Sequence, residues 1–352
     1  MSTNSFKIDN VEIGEGHPTF IIAEIGVNHN GSLEIAKKTI DSALEAGADC
    51  VKFQSFRAEE FMADKDLEYE YTNDGKIVKE NMYEMFKRLE LPASWHKELF
   101  EYSRKLGLVP MTSVADPLST DIAMESGITC FKLSSEDLIN LPLIEYVASK
   151  KMPMILSTGM ADEDEVADAL EILKNHGVEQ HCILHCVSVY PTPNDEANLS
   201  RLQTLKERFG CLVGYSDHTE GILACTIAAG LGACILEKHF TLDKGLAGPD
   251  HSLSADPQEL KALVSQVREA ETMRGISKIA PSKTEMETRM LFRRSVVAVK
   301  NLEVGHIVSR EDLSLKRPGT GLKAKNIPSL LGKKLKTKVA RDTPILIEHL
   351  ED

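Results

Sequence analysis

The sequence predicts an α/β chain: a (β/α)8 TIM barrel followed by a small module built mostly of short strands. Three observations lead there. Apolar runs alternate with amphipathic stretches of helical period, roughly every 20–30 residues, over most of the chain. No G-x-G-x-x-G turn follows the first run, which lowers the reading as an open doubly wound sheet. Past residue 290 the helical period gives way to strand-like pieces and turns.

In chain order, the segment 6–13 (FKIDNVEI) alternates and turns at Asp9-Asn10, which predicts a hairpin plugging the barrel floor. Eight runs then read as strands: 19–24, 50–54, 108–112, 130–134, 152–157, 181–186, 211–215 and 234–238. Their near-continuous hydrophobicity suits parallel strands covered on both faces. Between them, Ser32 is placed to cap a helix ending at Gly47. Ser94 is placed to cap another, with Trp95, Leu99, Tyr102, Ser103 and Leu106 on one stripe. The stretch 161–176 opens acidic and stops before Gly177, as a helix dipole favours. The stretch 222–231 is small and apolar all round, as a helix packed tightly on a sheet would be. An insertion, 55–91, separates the second and third runs. The domain reading is a barrel over 1–275, a lysine-rich linker over 276–290 and a module over 291–352. At roughly 60 residues the module is small for independent stability, so docking on a barrel, its own or a partner's, is expected.

The composition excludes some functions. Lys and Arg total 41 against 54 Asp and Glu, a net charge of -13, which argues against nucleic acid and anionic membranes as partners. Any anion site must therefore be built locally. No apolar run approaches the roughly 20 residues of a membrane span, and the polar N-terminus does not read as a secretory signal. The seven cysteines have no C-x-x-C spacing, so reduced thiols in a cytoplasm are expected, with Cys182 and Cys186 as packing residues.

A TIM barrel carries its chemistry at the C-terminal ends of its strands. Here those ends hold Glu24, Lys52 and Gln54, Thr112 and Ser113, Lys132 with Ser134 and Ser135, Ser157 and Thr158. His185, leading to Tyr190, Ser216 with Asp217 and His218, and Glu237 with Lys238 and His239 complete the rim, with Asp250 and His251 beyond. Two lysines beside serines suit a carboxylate and a phosphate; alternatively each lysine pairs with a barrel carboxylate. His218 and His239, on adjacent strands, could share a divalent ion or simply be hydrogen-bonded. Glu24 reads as a general base, a hydroxyl ligand, or an ion-pair partner of Lys52.

Several motifs together resemble the bacterial sialic acid (N-acetylneuraminate) synthases of the nonulosonic acid synthase family. They are AEIGVNHNGS (23–32), VKFQ (51–54), FKLSS (131–135), LSTGM (156–160), YPTP (190–193), GYSDHT (214–219), LEKHFT (236–241) and GPDH (248–251). The segment 299–319 resembles the antifreeze-like (SAF, β-clip) domain of these enzymes. The resemblance implies a metal-dependent condensation of phosphoenolpyruvate with an N-acylated amino-sugar aldehyde and water, giving a nonulosonate and phosphate by C–O cleavage. It implies phosphoenolpyruvate at Lys52, Thr112, Lys132, Ser135, Ser157 and Ser216. It implies Mn2+ at His218 and His239, with Mg2+ or Co2+ as alternatives. It implies the sugar at Glu24, Gln54, Asn73, Tyr190 and Asp250, and a domain-swapped homodimer in which Arg317 reaches the partner's site. Glu24, His218 and His239 are the expected catalytic group. Family members often carry glycine where this chain has Ser134 and Glu136, which alters the pocket beside Ser135.

The acceptor stays open between N-acetylmannosamine, giving N-acetylneuraminate, and a 2,4-diacetamido-trideoxyhexose, giving legionaminate or a related acid such as pseudaminate or a spore-coat sugar. Two rival classes remain: a Schiff-base pyruvate aldolase with Lys132 or Lys52 as nucleophile, and a non-catalytic protein whose terminal module grips a glycan or protein.

Overall fold

Eight parallel strands close on themselves in chain order: Phe20–Gly26, Cys50–Ser55, Val109–Val114, Phe131–Leu133, Met154–Ser157, His181–Cys186, Leu212–Asp217 and Ile235–His239. The last pairs back onto the first, which sets His239 beside Glu24. The computed structural model describes residues 5–73 and 76–351. The chain divides into two compact units, one ending at Gly275 and the other beginning at Ile276.

Period two sorts each strand. Ile22, Cys50, Met111 and Ile155 point inward, while Ile21, Val51, Phe53 and Leu156 pack against the surrounding helices. The hairpin Ser5–Ile8 and Val11–Gly14 sends Phe6, Ile8 and Ile13 into the inner cluster, so it does plug the floor. With the floor filled, the open end of the barrel is the polar one.

The capping signals translate well. Ser32 accepts from the Ile35 N–H at the start of helix Leu33–Ala46, and Gly47 ends it at φ 88, a left-handed value that glycine adopts without a Cβ clash. Asp162 with Glu165, and Asp256 with Glu259, form reciprocal capping boxes on helices Glu163–Asn175 and Pro257–Arg274. Ser94 is a correction. Helix Ala93–Lys105 begins two residues earlier, with Pro92 at the cap and Ser94 already in the first turn. Proline presets the backbone, and its carbonyl accepts from the Trp95 N–H, so no side-chain cap is needed. The buried face is His96, Leu99, Phe100 and Ser103; Trp95, Tyr102 and Leu106 are only partly buried. Helix Leu223–Gly230 is also less enclosed than expected. It buries Ala224, Cys225, Ala228 and Ala229 but leaves Leu223 and Ile227 exposed.

The insertion builds a wall above the second strand. It contains a short helix Ala58–Phe61, a hairpin of Glu68–Asn73 with Lys76–Asn81, and helix Met82–Leu89 capped by Asn81. Phe56, Met85 and Leu89 of the insertion form an apolar cluster with Val27, just beyond the first strand.

In the second unit, the segment read as linker contains most of helix Lys283–Phe292, which starts on a Ser282–Glu285 capping box. Strands Ser295–Ala298 and Leu313–Lys316 pair antiparallel around Val296, Leu302, Val308, Leu335 and Ile345. Asp312 is buried there, accepting from the Ser309 N–H and hydroxyl and facing Lys300 and His306. Among the described residues, no helix is long and apolar enough to cross a membrane.

Candidate active site

A cavity of about 520 Å³ opens at the C-terminal end of the barrel. Parity explains which strand residues reach it. Glu24, Lys52, Lys132, Ser157, Ser216, Glu237 and His239 all continue the inward face of their strands. Lys238 has the opposite parity. It is buried outside the barrel in an ion pair with Asp217 at 2.9 Å.

The centre of the cavity is a charge network. Lys52 Nζ lies 3.0 Å from Glu24 Oε2 and 3.5 Å from Glu237 Oε2. Lys132 Nζ donates to Ser157 Oγ at 2.6 Å and to the Leu133 carbonyl at 2.8 Å, and lies 3.9 Å from Glu237 Oε1. Ser216 donates to Glu237 Oε1 at 2.9 Å, and Gln54 Nε2 donates to Glu24 Oε1 at 3.1 Å. Glu237 is thus the shared counter-charge of both lysines. Sequence reasoning saw it at a strand end but assigned it no role; its inward parity beside His239 was the available signal.

The two carboxylates behave differently. Burial pushes Glu24 up to about 7, because one lysine only partly offsets the lost hydration. Burial also pushes Glu237 up, but Lys132 and Lys52 together outweigh it and hold Glu237 at about 2. Burial works against charge on Lys52, yet Glu237 and Glu24 leave it raised. Lys132 is lowered, since burial exceeds the attraction of Glu237.

A cluster of hydroxyls around Gly159 adjoins Lys132. Ser135 Oγ accepts from the Gly159 N–H at 3.0 Å. A methyl group on Gly159 would stand 2.3 Å from Ser188 Oγ and 2.7 Å from Ser135 Oγ, so only glycine lets these groups converge. Ser188 Oγ is buried without a hydrogen-bond partner. It lines the cavity and was missed in the sequence, where it stands alone between a strand and the YPTP turn. Ser134 donates to Asp137 Oδ2 at 2.7 Å, and Glu136 lines the cavity with its carboxyl raised by burial.

Thr112 requires correction. Its parity turns it toward the helices, where it is hydrogen-bonded to Ser55 Oγ at 2.7 Å, which is in turn bonded to His96. It does not line the cavity; its neighbour Ser113 does. Cys186 is a second correction, for it is not only packing. It lines the cavity with Sγ 3.7 Å from His218 Nδ1.

The histidine pair stands on the other side. The His218 and His239 ring centroids are 5.4 Å apart, and Tyr190 covers His218 at 4.1 Å. His218 Nδ1 donates to the Val187 carbonyl at 2.8 Å, which leaves Nε2 with its lone pair. His239 Nδ1 is buried without a hydrogen-bond partner, 3.5 Å from Asp250 Oδ2. Burial keeps His239 neutral well below its usual range and raises Asp250 to about 6. Burial works against charge on His218, yet Cys186 and the Val187 carbonyl leave it raised, so the pair, with an orphaned nitrogen and a nearby carboxylate, fits a divalent cation once His218 gives up its proton. Among the described residues no group of three or more His, Cys, Asp or Glu side chains forms a metal cage. A metal here would take its other ligands from water and substrate.

Other polar residues of the motifs and of the expected site fall elsewhere. Asn28 ties the Phe240 carbonyl to Ser254, and Asn30 holds the Ala247 carbonyl and His251, so both lock loops together. His185 bonds the Ala197 carbonyl outside the barrel. The backbone of Asn73 ends a hairpin strand, and its side chain lies outside the described residues. Arg317 lies in the second unit, exposed, with its guanidinium 5.2 Å from the Phe292 ring.

The chain is similar to known proteins over most of its length. The NeuB family model matches residues 39–278, and the SAF domain model matches residues 293–351. The chain is 42% identical to the N,N'-diacetyllegionaminic acid synthase of Legionella pneumophila, over 96% of each chain. It is 35% identical to the N-acetylneuraminate-9-phosphate synthase of Mus musculus, over 96% of this chain and 94% of that one. The crystal structure of an N-acetylneuraminic acid synthetase from Leptospira borgpetersenii, in complex with citrate, is similar with a TM-score of 0.74. That likeness has 35% identity and covers 82% of this chain and 95% of the other.

Proposed function

The chain belongs to the NeuB family, and from that premise we propose that it condenses phosphoenolpyruvate with an N-acylated amino-sugar aldehyde and water, forming a nonulosonate and inorganic phosphate. The observation that carries this reading is the division of one cavity into a side of lysines and serines and a side bearing two histidines. Lys132, Ser135, Ser157 and Ser188 suit the phosphate, and Lys52 and Ser113 suit the carboxylate.

His218 and His239 are the residues that would hold a divalent metal, Mn2+ first, which when bound supplies Lewis acidity at the aldehyde oxygen. Asp250 and Tyr190, against those rings, orient the sugar. C3 of phosphoenolpyruvate attacks the aldehyde carbon, water adds at C2, and the C–O bond breaks to release phosphate. Glu24, poised near neutrality and held by Lys52 and Gln54, takes or returns the proton in these steps. Glu237 stays charged and keeps both lysines charged and in place.

Arg317 would complete the sugar site from a second copy. Residues 276–352 carry a net charge of +7 and residues 1–275 carry -20, so the module is attracted to an acidic barrel surface such as a partner's. Sedimentation as a dimer, with loss of acceptor affinity in Arg317→Ala, is the expected result.

The test of the function is phosphate release from phosphoenolpyruvate with Mn2+ and either candidate sugar. Release that requires the sugar and stops with EDTA supports the proposal. The competing Schiff-base reading rests on the depressed Lys132 ammonium. Borohydride trapping of pyruvate on Lys132, with activity that survives EDTA, would establish it instead.

A further inference from the structure

We infer that the acceptor is chosen by an apolar wall supplied by the insertion after the second strand, and that this wall takes a methyl-terminated sugar end in preference to free hydroxyls. The inference rests on the condensation just proposed and names the acceptor class it uses.

The cavity is segregated. Its charged and hydroxyl-bearing groups belong almost entirely to strand ends and the loops just beyond them. The insertion contributes Phe56, Phe61, Met82, Met85 and Phe86; its polar groups among the described lining residues are the Tyr69 hydroxyl and, at the strand's end, Ser55, whose hydroxyl is bonded to His96 and Thr112. The three phenylalanines interlock edge to face, with ring centroids 5.2–5.5 Å apart. Met85, almost fully buried, packs in one apolar cluster with Phe56 and Leu89 and ties the wall to it.

Phosphoenolpyruvate must take the lysines and serines, and the aldehyde must lie at the histidines. The remainder of a six-carbon chain then has the insertion as its apolar boundary. A hydroxymethyl or free hydroxyl placed against interlocked phenyl rings loses its water and gains no partner. A C6 methyl, or the methyl of an acetamido group, loses nothing and gains contact with rings and thioethers. The acceptor assigned by the wall is therefore a 2,4-diacetamido-2,4,6-trideoxyhexose, not N-acetylmannosamine.

The experiment measures kcat/KM for both sugars with the full chain, Mn2+ and saturating phosphoenolpyruvate. The expected preference for the trideoxy sugar is on the order of 10- to 100-fold, the usual discrimination of an apolar pocket. Met82→Gln, which places an amide in the wall at similar volume, should cut that preference by roughly fivefold or more with little change in the KM for phosphoenolpyruvate. Phe61→Asn, at an exposed position, should act in the same direction and guards against misfolding of one variant. Brisk turnover with no preference, or with preference for N-acetylmannosamine, overturns the wall's role and leaves the condensation standing. An unchanged preference in both variants also overturns it. Phosphate release with neither sugar overturns the condensation itself, and the inference with it.

Discussion

Lys52 and Glu24 face each other at 3.0 Å in the barrel mouth, both nearly sealed from solvent. The pair holds a carboxylate close to the pH at which proton transfer is most useful. Glu24→Gln keeps the shape and removes the base. Turnover should fall by about 100-fold or more with both KM values little changed. In the wild-type enzyme the acid limb of the kcat profile should lie near 7, since Glu24 is raised and ionises only above that pH. In Glu24→Gln that limb should disappear. A retained limb would assign it to another group.

Glu237 is the counter-charge of two buried lysines. Glu237→Ala leaves both with less compensation and should cost about 3–5 kcal/mol, because an unpaired buried charge loses hydration without repayment. Glu237→Gln should cost less. Thermal denaturation measures both, and the KM for phosphoenolpyruvate should change as well, because Lys52 and Lys132 lose their fixed positions.

Thr112 and Ser113 separate packing from binding. Ser113→Ala should raise the KM for phosphoenolpyruvate by roughly tenfold, the loss of one hydrogen bond to a charged group. Thr112→Val should leave that KM alone. It breaks the hydroxyl relay to Ser55 and His96 and should lower stability by about 1 kcal/mol.

His218 and His239 are predicted to act as one unit. Replacing either by Asn should reduce activity below about 1% of wild type, and added Mn2+ should no longer restore an EDTA-treated sample. Electron paramagnetic resonance of Mn2+ titrated into each variant gives a readout independent of turnover: weaker binding is expected in both.

Asp312 makes the C-terminal module acid-sensitive. Burial pushes its carboxyl up, but His306, the Ser309 N–H and Lys300 outweigh burial and hold it well below the usual range. A depressed acid contributes stability above its unfolded pKa of roughly 4, and this is lost as pH falls through the folded value. Hydrogen exchange of the module should therefore accelerate selectively below about pH 4. Asp312→Ala should be destabilised by about 1–3 kcal/mol at neutral pH and lose that acid dependence.

Much of this was legible in the sequence. The eight runs and their helical partners carry the barrel because buried parallel strands must be apolar throughout, and the structure shifts each by at most about two residues. The rim residues at Glu24, Lys52, Lys132, Ser157, Ser216, His218 and His239 meet as expected because strand parity is regular. Thr112 failed on that same parity: two adjacent hydroxyls end one strand, and the alternation that decides between them needs the strand's inner face to be known. Ser188 was missed, and Glu237 was placed on the rim without a role, because their significance is spatial. One is orphaned opposite Gly159, and the other stands between lysines from two other strands. Ser94 failed because Pro92 performs the same task through its backbone. The aromatic wall was invisible as a wall, since its members are spread over thirty-one positions, 56–86, of an insertion without barrel periodicity.

The most direct test of the central claim uses phosphoenolpyruvate labelled with 18O in the bridging C–O–P oxygen, with Mn2+ and the trideoxy sugar. Condensation with C–O cleavage predicts that the label leaves entirely in inorganic phosphate, with an equimolar nonulosonate formed. Label retained in the sugar acid, or phosphate released without the sugar, would contradict it.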